Sequence, residues 1–141
     1  MHGDAILIKK GDFDMLIDAG PAEKGGKVVD FLRAKGVDDI EILVSTTADP
    51  RRYGGIATVA DNFRIERFWW TGEDFDDGEY KAIATRMSNV TKGVDIISDG
   101  YNISLNGMEF MALNPPSKLF DDVNNDAMVL NIVDRNFSML L

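Results

Sequence analysis

Apolar and polar positions alternate along this chain in short blocks, and their periods sort them into strands and helices. Ala5–Ile8 and Phe13–Ile17 are runs of β-forming residues on either side of a Lys9–Asp12 turn, which predicts a hairpin. Asp18-Ala19-Gly20-Pro21 breaks the run. From Lys24 to Lys35, Val28, Val29, Phe31 and Leu32 fall on one helical stripe, and Gly36 is a stop signal. Ile40–Ser45 is apolar enough for a strand buried on both faces. Ile56–Phe63 reads as a second helix, Arg64–Trp70 as a strand and Tyr80–Ser88 as a third helix. Val94–Ile97, Tyr101–Leu105 and Met108–Leu113 read as strands, with a hairpin turn at Asn106-Gly107. A loop opens on Pro115-Pro116 and runs to Asn125-Asp126. Met128–Val133 and Phe137–Leu141 then form a last hairpin around Asp134–Asn136. This order predicts one α/β domain over residues 1–141, without repeat or linker.

Composition narrows the chemistry. The chain has 141 residues, long enough for one domain with its own core. No apolar run has the length of a membrane span, and the start lacks the basic and apolar segments of a signal peptide. Cysteine is absent, which removes disulfides and thiolate sites and fits a cytoplasmic location. A net charge of −9 disfavours general binding to nucleic acid. His2 is the one histidine. Hydrolase zinc and iron sites draw several imidazoles, so that count argues against a dinuclear metal centre.

The stretch Ile42–Ile56 carries the most information. An apolar run ends in Ser45-Thr46-Thr47, passes Asp49 and two arginines, and closes on Gly54-Gly55. It resembles the metal loop of the metallo-β-lactamase superfamily, which reads His-x-His-x-Asp-His, or His-x-Asp-x-Asp-His in the competence DNA-uptake (ComEC-type) branch, followed by two glycines. Thr47, Asp49, Arg51 and Arg52 stand at the ligand positions. Other blocks follow that branch in order. Gly3–Ile8 resembles "QGDAILI", Leu16–Gly20 resembles "LIDGG", and Leu43–Thr46 resembles "LVLTH". Leu105–Leu113 before Pro115-Pro116, and Asn125–Leu130, resemble later blocks.

The resemblance implies a four-layer αββα sandwich of two similar halves, of which about the first half plus its sheet is present. It further implies that the missing part holds a metal-bridging aspartate. The chain stops within the apolar strand Ser138–Leu141, which reads as a truncation or a half-domain that completes its sheet with a partner. The reading is therefore a non-catalytic structural or binding module, associating as a homo-oligomer or with another chain through a sheet edge. The alternative is a metal-dependent hydrolase of phosphodiester or nuclease type. No cofactor is expected. A hydrolase would need a divalent metal, magnesium, manganese or zinc, on Asp4, Asp18, Asp49 and the acidic loop.

Single residues remain open between two roles. Asp49 is a weak candidate metal ligand or a helix-start cap. Asp18, after its strand, is a structural acceptor for loop amides or a catalytic group. Arg51 and Arg52 are candidates for anion binding, or they pair with Asp18, Asp49 or the acidic loop. Phe68, Trp69 and Trp70 stack a base or belong to the core. Asp74, Asp76, Asp77 and Glu79 attract a cation or form a solvated loop. Asn125-Asp126 faces the site or forms a turn.

Overall fold

A computed structural model describes residues 5–73, 78–119, 126–135 and 137–141. The hairpin at the start is β1 (Ile6–Lys10) and β2 (Phe13–Ile17), paired antiparallel. A short 3-10 turn, Ala22–Lys24, leads into α1 (Gly25–Ala34), and β3 (Asp39–Val44) follows. Next come α2 (Pro50–Tyr53), α3 (Ile56–Asn62), β4 (Arg64–Trp70), α4 (Glu79–Val90) and β5 (Gly93–Ile96). The remaining strands are β6 (Asn102–Leu105), β7 (Met108–Asn114), β8 (Val129–Asp134) and β9 (Phe137–Leu140).

The strands make two sheets. The first has the order β1-β2-β3-β4-β5, with β2 to β5 parallel to one another. The second, β6-β7-β8-β9, is antiparallel throughout. Each parallel connection crosses over through helix, and these helices cover one face of the first sheet. There Val29, Leu32, Ile56, Val59, Tyr80 and Met87 pack on Leu16, Leu43 and Phe68. The opposite face meets the second sheet, where Met15, Ile42, Val44 and Trp69 pack on Phe110, Leu130 and Ile132. Each such fully buried apolar side chain contributes about 1.5–3 kcal/mol. The salt bridge from Lys10 Nζ to Asp134 Oδ1, at 3.0 Å, ties the first hairpin to the far end of β8.

Period-two alternation is clear on β7. Met108, Phe110 and Ala112 are buried, while Met111 and Leu113 stay exposed on the outer face of the second sheet. No described helix packs in the inter-sheet core. Asn106 and Gly107 both take positive φ, 54° and 78°, as a tight two-residue hairpin requires.

One expectation needs correction. Phe31 is not on the buried stripe of α1. Val29 and Leu32 set that face, and Phe31 is 44% exposed with Lys35 Nζ 5.8 Å from its ring centre. Asp49-Pro50 starts the short helix α2, as the helix-start reading of Asp49 has it. The segment after β4 begins buried, with Thr71 and Glu73 inside. His2, Asp4, Asp74, Asp76, Asp77, Asn125 and Asn136 lie outside the described residues.

Candidate functional site

Because β2, β3 and β4 run parallel, their C-terminal ends share one edge of the sheet, and the loops leaving them meet there. Backbone hydrogen bonds stitch these loops together. The Asp18 amide donates to Val44 O at 2.8 Å, and the Ser45 amide to Trp69 O at 2.8 Å. The Ala19 amide donates to Arg52 O at 2.9 Å, and the Gly55 amide to Gly20 O at 2.9 Å. From the second sheet's side, the Met128 amide donates to Thr46 O at 2.5 Å.

Gly54 and Gly55 make this stitching possible. A Cβ on Gly55 would lie 2.1 Å from Ala19 O, and one on Gly54 would lie 2.5 Å from Ala22 N and 2.6 Å from Pro50 O. Neither neighbour is a side chain that can swing away. The two glycines are thus dictated by backbone lying against backbone.

Asp18 sits at the first loop with φ 60°, a conformation aspartate tolerates better than most residues. Its side chain is buried. Oδ1 accepts from the Thr46 amide at 2.8 Å, and Oδ2 accepts from Thr46 Oγ1 at 2.6 Å. Arg52 Nη1 stands 4.0 Å from Oδ2. Asp49 caps α2, accepting from the Arg51 amide at 2.9 Å. The Arg51 guanidinium then folds back on it. Nε is 3.1 Å from both carboxylate oxygens, and Nη2 is 2.7 Å from Oδ2. The Arg51 guanidinium holds the Asp49 carboxyl below the usual carboxylate range. Thr47 is buried at the same turn.

Tyr80, Thr71 and Glu73 complete the buried polar set, and none of them stands out as a site residue in the sequence. The Tyr80 hydroxyl donates to Ser45 O at 3.3 Å, and Thr71 Oγ1 donates to Glu73 Oε1 at 3.1 Å. Burial pushes the Tyr80 phenol well above its ordinary value, so it acts here as a fixed donor. The one available signal was the helical spacing Tyr80, Ala84, Met87. Phe68, Trp69 and Trp70 are all core residues, divided between the two faces of the sheet, so none presents a face for a base to stack on.

Among the described residues, this donor set does not fit a divalent cation. Arg51 and Arg52 bring two guanidinium groups to the loop. Both oxygens of Asp49 are engaged by Arg51, and both oxygens of Asp18 by Thr46. Among the described residues no group of three or more His, Cys, Asp or Glu side chains converges. No described helix is long and apolar enough to cross a membrane.

No protein-family profile and no curated protein matches the chain. Solved structures do. A metallo-β-lactamase from Cronobacter sakazakii with a HARLDQ motif is 19% identical, with a TM-score of 0.68, over 96% of this chain and 50% of its own. MIM-2 metallo-β-lactamase is 18% identical, with a TM-score of 0.66, over 96% and 52%. MEM-A1, a subclass B3 enzyme from a soil metagenome library, is 15% identical, with a TM-score of 0.64, over 96% and 54%. At these identities the likeness is one of fold, and the chain spans about half the length of each neighbour. The chain therefore has the mixed α/β architecture of the metallo-β-lactamase fold, over a stretch about half as long as those enzymes.

Proposed function

We propose that this chain is a non-catalytic module of the metallo-β-lactamase fold, in which arginines hold the charge that metal ions hold in the family's loop. The observation that carries this reading is the fork between Arg51 and Asp49. It engages both oxygens of the carboxylate that aligns with a metal ligand. Arg52 stands beside Asp18 in the same way, at longer range. The ordered blocks from Leu16–Gly20 to Asp126–Leu130 support a place in the competence DNA-uptake branch. The HARLDQ motif printed for one structural neighbour also departs from His-x-His-x-Asp-His, with arginine and glutamine at the third and sixth places.

A module without chemistry acts by binding. The β9 edge of the second sheet pairs with β8 on one side, and Leu140 there is 65% exposed. We place association with a second copy or another chain at that edge. Light scattering that gives a monomer at high concentration would remove this part.

The competing reading is a metal-dependent phosphodiesterase or nuclease. Single-stranded DNA and a generic phosphodiester, offered with zinc, manganese or magnesium, are expected to be cleaved no faster than in protein-free controls. Turnover that Asp49→Ala abolishes would overturn the non-catalytic reading.

A further inference from the structure

On the outer side of α2 lies a cleft of about 420 Å³, between the Pro21–Glu23 turn and the start of α4. This is within the range of small-molecule sites, roughly 300–1,000 Å³. Its walls are Pro21, Glu23, Pro50, Arg51, Tyr53 and Glu79. The floor is fixed. The two walls meet at Gly54 with no room for a Cβ, and the Tyr53 ring packs against Tyr80 at 5.2 Å between centroids.

The polar groups around this cleft keep unused bonding capacity. Arg51 binds Asp49 through Nε and Nη2, which leaves Nη1 available. Glu79 Oε2 receives a long bond from the Tyr53 hydroxyl at 3.5 Å, which leaves Oε1 available. The Glu23 carboxylate has no bonded partner among the described residues. A simple anion entering the cleft would meet two carboxylates. A simple cation would leave the free edge of Arg51 without an acceptor. A molecule with both charges at its two ends satisfies all three groups.

We propose that this cleft binds a small zwitterion with a free ammonium and a free carboxylate, such as an amino acid or a dipeptide. The ammonium lies toward Glu23 and Glu79, and the carboxylate lies on the open edge of Arg51. This deepens the binding-module reading by naming a ligand class, and it rests on Arg51 being held by Asp49 rather than displaced by a metal.

The test is an NMR titration of the whole chain with glycylglycine, N-acetylglycylglycine and glycylglycinamide, following Tyr53 and Gly54. Saturable shifts are expected with glycylglycine, and binding about tenfold weaker for each blocked form, the scale of one lost charge-assisted contact. Glu79→Gln should abolish discrimination against the acetylated form, and Arg51→Gln discrimination against the amide. Glu23→Gln serves as a second carboxylate variant should Glu79→Gln unfold. No saturable shift, equal affinity for all three probes, or discrimination unchanged in the variants would each overturn the proposal. Metal content of the same samples scores the non-catalytic reading separately, so either can fail alone.

Discussion

The two ends of the first sheet treat their carboxylates in opposite ways. At the C-terminal ends of the parallel strands, Asp18 accepts two bonds from Thr46 with Arg52 nearby, and Asp49 is held in the Arg51 fork. Toward the other end, Asp14 on β2 lies beside Glu41 on β3. The Asp14 amide donates to Glu41 Oε2 at 2.6 Å, and Lys9 Nζ reaches Asp14 Oδ1 at 3.0 Å. Asp14 Oδ2 is buried without a partner. Burial pushes the Glu41 carboxyl up, and the charges of Asp39 and Asp14 add to the push. At the loop end, negative charge is matched. At the acid end, it accumulates. Removing a carboxylate should therefore cost stability at the first end and add stability at the second.

Four substitutions sharpen this contrast. Gly55→Ala should have the largest effect, because its Cβ would overlap Ala19 O and force the stitched loops apart. A loss on the order of 3 kcal/mol in urea unfolding is expected, or failure to fold. Asp18→Ala follows, at about 2 kcal/mol, since it leaves the Thr46 amide and hydroxyl buried without their acceptor. Asp49→Ala should cost about 1 kcal/mol by removing the cap of α2. Its pKa is depressed in the fold, so its contribution is present above the unfolded value and lost as pH falls through the folded one. The wild-type advantage over Asp49→Ala should therefore fade in acid.

Glu41→Gln is the smallest effect and has the opposite sign. The folded pKa of Glu41 is raised, so its contribution is fully present below the unfolded value, about 4.3, and lost as pH rises through the folded value. The variant should unfold at slightly higher urea than wild type at neutral pH, and the gain should vanish in acid. A variant weaker than wild type at neutral pH would show that the acid end is compensated too.

Much of the fold was legible in the sequence because it follows from period and punctuation. The β7 alternation, the Asn106-Gly107 turn and the apolar run of β3 all left local signals. Phe31 was misplaced because a helical stripe read at low resolution cannot tell a residue at its margin from one at its centre. At the candidate site, Gly54 and Gly55 and the Asp49-Pro50 helix start were visible as residue types. Their reasons were not, since the partners Ala19 and Ala22 lie more than thirty positions earlier. Tyr80 and Glu73 were invisible as site residues. Their role depends on which strand ends the topology brings together, and no spacing within either segment encodes that.

We propose that arginines occupy the electrostatic place of metals at the strand-end loop. This is tested most directly by elemental analysis of the purified protein, repeated after incubation with zinc, manganese and magnesium followed by desalting. The account predicts no stoichiometric metal under any condition, and no change in Asp49→Ala. A stoichiometric metal retained by wild type and lost in Asp49→Ala would contradict it, since Asp49 would then have given up Arg51 for the ion.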